Sequence, residues 1–160
     1  MILSSKKKSE GGFAIVEMLV GGFIIVAMAI GVATAVQKSV EVSRLALRDA
    51  QSAYLLEEGA EAIRTLRASS WSNIASSTAG TNYYFSFSTS TNLWSLTTST
   101  TTVGIFSRKV VLSDVYRDGA DNIATSGALD ASSRRADITV SYPNNTATIS
   151  KQLSFYIFNL

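Results

Sequence analysis

The chain has no cysteine and no histidine. No disulfide can brace its fold, although exported domains without one are common, so the compartment stays open. The same absences remove thiolate and imidazole zinc sites, the Ser-His-Asp triad and the Cys-His dyad together. Carboxylate pairs remain for acid–base chemistry, yet the balance points away from an enzyme. Proline is nearly missing: Pro143 is the single one, so only glycine can interrupt a helix before it. Charge is missing locally as well. Met18 to Ala33 is a run of sixteen residues without a charged or polar side chain.

What stands before that run is specific. Lys6-Lys7-Lys8-Ser9-Glu10 is followed by Gly11-Gly12, then by Phe13-Ala14-Ile15-Val16-Glu17. A carboxylate at the head of an apolar run is costly. A charged side chain at membrane depth costs about 2.5–3.5 kcal/mol on insertion scales, and such residues usually mark a function. Glu17 therefore calls for a cationic partner. The nominal net charge is +2, but the first twelve residues hold three lysines and one glutamate. The other 148 residues carry eleven basic and eleven acidic side chains. The basic surplus belongs to that segment alone and gives no support for a nucleic-acid partner. Lys6, Lys7 and Lys8 instead orient the chain, holding its start in the cytoplasm and sending the C-terminal part outward.

The register of Gly12, Phe13, Glu17 and the apolar run resembles the type IV prepilin and pseudopilin family over roughly residues 6–40. The resemblance implies a leader, 1–12, removed by a prepilin peptidase between Gly12 and Phe13. It implies N-methylation of the new terminal Phe13, and a role for Glu17 in assembly and register. In that family the glutamate meets the freed, methylated amine, on a neighbouring subunit or intramolecularly. Ala14 and Ile15 stand where members often have Thr and Leu. Many members carry a kinking proline in the apolar run and a C-terminal disulfide. Here any kink would come from Gly21, Gly22 or Gly31, and the disulfide cannot form. Gly21-Gly22-Phe23 repeats the tripeptide, but Ala27 stands where a glutamate would be needed and no basic cluster precedes it. Those glycines read as helix-packing positions.

Residues 13 to about 67 read as one helix, about 80 Å long at 1.5 Å per residue. Its first half, 13–36, is apolar on every side and suits a membrane span or a filament core. From Gln37 it becomes amphipathic, with Val42, Leu45, Ala53, Leu56, Ala60, Ile63 and Leu66 on one face. That face is expected to cover the protein's own sheet. Ser69, Ser70, Trp71, Ser72 and Asn73 should end the helix. Ser and Thr make up more than half of residues 69–102, with strands expected at Tyr83–Phe87 and Leu93–Leu96. That bias suits glycosylation or adhesion, but more simply a β-rich surface with solvated hydroxyls. Ile105–Tyr116 reads as a longer strand. Ile138, Val140 and Tyr142 alternate with polar neighbours, Pro143-Asn144-Asn145 marks a turn, and Ile149, Leu153, Phe155 and Ile157 share a face beyond it. The expected fold class is α+β: a long N-terminal helix whose second half, within a globular part 37–160, packs on a C-terminal antiparallel sheet at 81–158. The resemblance implies the same pilin-like architecture.

Asp114, Asp118, Asp121 and Asp130, with Asn122, fall in a glycine-containing stretch expected to be a loop. They are calcium candidates by residue type, and some pseudopilins bind calcium near this part of their fold. The spacing is not that of an EF-hand, and Asp and Asn also form ordinary turns. No other cofactor is implied.

The function that follows is a structural subunit of a type IV pilus or pseudopilus. It would sit in a prokaryotic cytoplasmic membrane with its sheet domain outside, and then enter an extracellular or periplasmic filament. Its partners would be the peptidase, other pilin subunits, and the assembly platform and motor. Two rivals remain. One is an exported binding domain behind a conventional signal peptide cut after Ala33-Thr34-Ala35, although Glu17 interrupts its apolar region. The other is a single-span membrane protein that does not polymerise.

Overall fold

With no proline before residue 143, a single α-helix, α1, runs Gly11–Ser69 (59 residues) in the computed structural model. That model describes residues 11–144 and 147–159. Lys6, Lys7 and Lys8, and Asn145 of the expected turn, lie outside the described residues. Gly21, Gly22 and Gly31 sit within α1 without ending it, and a Cβ at any of them would meet nothing within 4 Å. The chain divides into two compact units, Met1–Leu47 and Arg48–Leu160. The second therefore begins eleven residues after Gln37, where the amphipathic half is expected to start.

Helix α1 stops where serines crowd its last turn. The Asn73 side-chain amide donates to the Leu66 carbonyl (3.2 Å), which also accepts the Ser70 backbone N–H (3.1 Å), and to Ser69 Oγ (2.9 Å), tying the chain beyond α1 back onto its last turn. Trp71 to Asn73 do not simply trail off. Ser72–Ala75 forms a short helix, α2, whose Ile74 is fully buried. That one apolar anchor turns an expected terminator into a turn of helix.

Among the described residues seven strands follow: β1 Asn82–Ser88, β2 Leu93–Thr97, β3 Thr102–Val103, β4 Phe106–Arg117, β5 Ile123–Ala124, β6 Ala128–Asn144 and β7 Ala147–Phe158. They form one antiparallel sheet in the order β2-β1-β4-β6-β7, with β3 and β5 pairing on β4. Register places apolar residues in rows across it. Tyr83 faces Val110, Val110 faces Ile138 and Ile138 faces Leu153; the next row runs Leu112, Ala136 and Phe155. Such cross-strand pairs on one buried face fix the alignment, since a slip of one residue would turn every one of them to solvent. Pro143 and Asn144 belong to β6, paired with Thr148 and Ala147, instead of starting the turn. The β4 ladder on β6 ends at Ser107 and Ser141, so proline's missing N–H interrupts no pairing with β4.

The core of the second unit lies between this face and α1. Ala60, Ala62, Ile63 and Leu66 of the helix and Ile74 of α2 meet Phe85, Val110, Leu112, Ala136, Ile138 and Ile157. Burying a side chain such as Ile63 or Ile138 completely contributes about 1.5–3 kcal/mol. A Cβ on Gly59 would stand 3.2 Å from Ile138 Cγ2, so helix and sheet approach closely there. Val42 and Ala53, expected on the covered face, are exposed. The buried positions are Ala60, Ile63 and Leu66 of the expected face, together with Ser52, Gly59 and Ala62. Small residues dominate them because a close approach leaves little room for side chains. The structure is thus α+β, with an apolar N-terminal helix and a C-terminal antiparallel sheet.

Candidate functional site

Among the described residues one helix, α1, is long and apolar enough to cross a membrane, and none of its most apolar stretch is buried. Phe13 and Met18 are each 83 % exposed, and Phe23 75 %. Residues 13–36 rise about 36 Å at 1.5 Å each, beyond the ~30 Å hydrocarbon core of a bilayer. Apolar surface of this extent requires lipid or another protein against it. Glu17 is exposed within the stretch, and among the described residues no cation lies within ion-pair distance of it. Phe13 precedes it by four residues, one turn back on the same face. Gly12 and Phe13 are thus adjacent in the first turn of α1, and Glu17 lies one turn further on.

The four aspartates do not share a loop. Asp114 lies in β4 and Asp130 in β6; only Asp118 and Asp121 occupy the connection to β5. The carboxylates are drawn to arginines on neighbouring strands. Asp114 accepts from Arg134, whose other terminal nitrogen donates to the Ala75 carbonyl (2.9 Å) and so ties α2 to the sheet. Asp130 accepts from Arg117 Nε (2.7 Å) and from the Ser133 hydroxyl (2.6 Å). Ser133 and Arg117 hold the Asp130 carboxyl below its usual range. Asp118 accepts the backbone N–H groups of Asn122 and Ala120, both at 2.9 Å, and these amides lower its pKa. Asp121 has a positive φ of 65° and its carboxylate stands 3.6 Å from Arg117. Among the described residues no three acidic side chains gather as a metal site would require.

Two polar clusters in the second unit escaped the sequence reading. Arg108 is only 4 % exposed. It donates to Glu58 Oε2 (2.8 Å) and to the Leu55 carbonyl (3.1 Å), both on α1. Its guanidinium stands 4.8 Å from the Phe85 ring centroid and 5.5 Å from that of Trp94. The signal was a lone cation at an inward position of β4, between Phe106 and Val110. The second cluster joins Asp49 to the β6–β7 hairpin. The buried Tyr142 hydroxyl donates to Asp49 at 2.6 Å, and Lys151 Nζ lies 3.3 Å away. The Tyr142 hydroxyl, with a smaller contribution from Lys151, holds the Asp49 carboxyl below its usual range, and that carboxylate in turn raises the tyrosine. Both clusters fasten helix to sheet and neither opens onto a reactive group.

No protein-family model, curated protein or solved structure matches this chain.

Proposed function

We propose that the chain is a structural subunit of a type IV pilus or pseudopilus, held in a cytoplasmic membrane by the first half of α1 before it polymerises. The observation that carries this reading is one carboxylate, Glu17, four residues after Phe13 at the head of an exposed apolar helix. A plain anchor has no use for it. Cleavage after Gly12 would create a cation at Phe13, and the carboxylate would then have a partner.

In this account the apolar side chains exchange lipid for neighbouring helices as the subunit enters the filament. Among the described residues, a Cβ at Gly21, Gly22 or Gly31 would meet nothing within 4 Å. These glycines leave α1 a smooth surface on which a second helix can come close. A Glu17–amine pair about 4 Å apart gains roughly 4 kcal/mol at an effective dielectric of 20. Desolvating both ions costs several kcal/mol. The pair accordingly sets register more than it adds strength, because a misplaced subunit leaves a buried ion unmatched.

The test is Glu17→Ala in the native cell. Removing the charge makes insertion no harder, so the mutant should enter the membrane as well as wild type and still be cleaved. Its share in sheared filaments, or in subunit cross-links where the protein is a minor component, should fall sharply, with Glu17→Asp intermediate. Incorporation equal to wild type would remove the pairing mechanism.

A further inference from the structure

Between the end of α1, α2 and the β1–β2 hairpin lies an open cleft of about 500 Å³. Its lining combines Tyr83, Trp94 and Leu96 with Ser69, Asn73 and Ser76, and no residue of it carries a charge. We infer that this cleft binds a neutral saccharide. A charged ligand would find no counter-ion there, and a wholly apolar one would strand the hydroxyls and the amide without water. A sugar ring suits both halves. Its C–H face packs on an aromatic face, whose π cloud is electron-rich, and its hydroxyls exchange hydrogen bonds with serine and asparagine.

The cleft is arranged before any ligand arrives. Arg108 stands 5.5 Å from the Trp94 ring centroid, Phe87 packs on the ring at 5.0 Å and Phe85 meets it edge-on at 6.3 Å. Asn73 is fixed through its Nδ2 bonds to Leu66 and Ser69. Among the described residues, Asn73 Oδ1 and the Trp94 indole N–H make no hydrogen bond within the protein and are open to solvent, so a ligand can take them from water. One acceptor and one donor are thus left beside a held aromatic ring. Little ordering is needed on binding, which is how a small open site reaches useful affinity. This inference does not rest on filament assembly and stands or falls separately.

The test uses the full chain in zwitterionic micelles, since a maltoside or glucoside detergent would itself be a competing sugar. Saturation-transfer NMR would be recorded against chitotriose, cellotriose, maltotriose and lactose, with N-acetylneuraminic acid as the anionic control. At least one neutral sugar should saturate with a dissociation constant on the order of 1 mM, and Trp94→Ala should weaken it at least about tenfold. Ser76→Arg, at an exposed position on the rim, should do the same without touching the core, and decides the matter if Trp94→Ala does not fold. Saturation by none of the four sugars overturns the proposal. So does binding that survives Ser76→Arg, or equal binding of the anionic control.

Discussion

Arg108 and Glu58 stand 2.8 Å apart although fifty residues separate them in the chain. The arginine is buried in the sheet, whereas the glutamate on α1 is 48 % exposed at its side chain. Removing the acid leaves a buried cation with less compensation, which costs more than replacing both partners with apolar groups. Glu58→Ala should destabilise the chain by about 2 kcal/mol, the size of a hydrogen bond to a charged group. Adding Arg108→Met should recover part of that loss, giving a coupling of about 1–2 kcal/mol in a double-mutant cycle. Thermal unfolding of the full chain in micelles, followed by tryptophan fluorescence, measures it. Strictly additive losses would mean the pair does not fasten helix to sheet.

Gly127 precedes β6 with φ 141°, and a Cβ there would lie 2.1 Å from the Arg117 carbonyl oxygen. No side chain fits without moving the backbone. Gly127→Ala should cost about 3 kcal/mol, combining backbone strain with the clash. Gly80 also has a positive φ, 76°, but open space around it. Gly80→Ala should cost only about 1 kcal/mol. Comparing the two melting temperatures separates the clash from the conformational penalty, and equal losses would contradict the geometry.

The Asp49–Tyr142 hydrogen bond defines a pH window. Asp49 is lowered below 3.8 by the tyrosine hydroxyl, so its stabilisation is fully present above the unfolded value and is lost as pH falls through the lowered one. Tyr142 is raised above 10.0 by that carboxylate, so its stabilisation is present below 10.0 and is lost as pH rises through the raised value. Melting temperature should hold between about pH 5 and 9 and fall on both sides. Tyr142→Phe should flatten the alkaline fall and reduce the acid one. An unchanged alkaline limb in Tyr142→Phe would assign that loss to other groups.

The long helix was legible because nothing in the sequence stops it: proline is absent and the apolar run grades directly into an amphipathic stretch. The last two strands were legible because Ile138, Val140 and Tyr142 alternate with polar residues, and Ile138 and Tyr142 answer Leu153 and Ile149 across the hairpin. Placement of the helix face was less so. Val42 and Ala53 satisfy the helical period, yet the contact is decided by how closely the backbone approaches at Gly59, which period alone does not encode. Asp114 and Asp130 looked like loop acids because arginine partners thirteen and twenty residues away, Arg117 and Arg134, become neighbours only once β4 and β6 pair. Arg108 was hidden by the same effect, since its acid lies on another element. The register of Gly12, Phe13 and Glu17 is local to the chain and so was readable without tertiary structure.

The N-terminal residue of the protein isolated from its native membrane or filament tests the central claim most directly. Intact mass and N-terminal sequencing should find a chain beginning at N-methylated Phe13, and Gly12→Val should leave an uncut membrane-bound precursor. An unprocessed chain beginning at Met1, or one beginning at Val36 after conventional signal-peptide cleavage, would contradict the filament-subunit account.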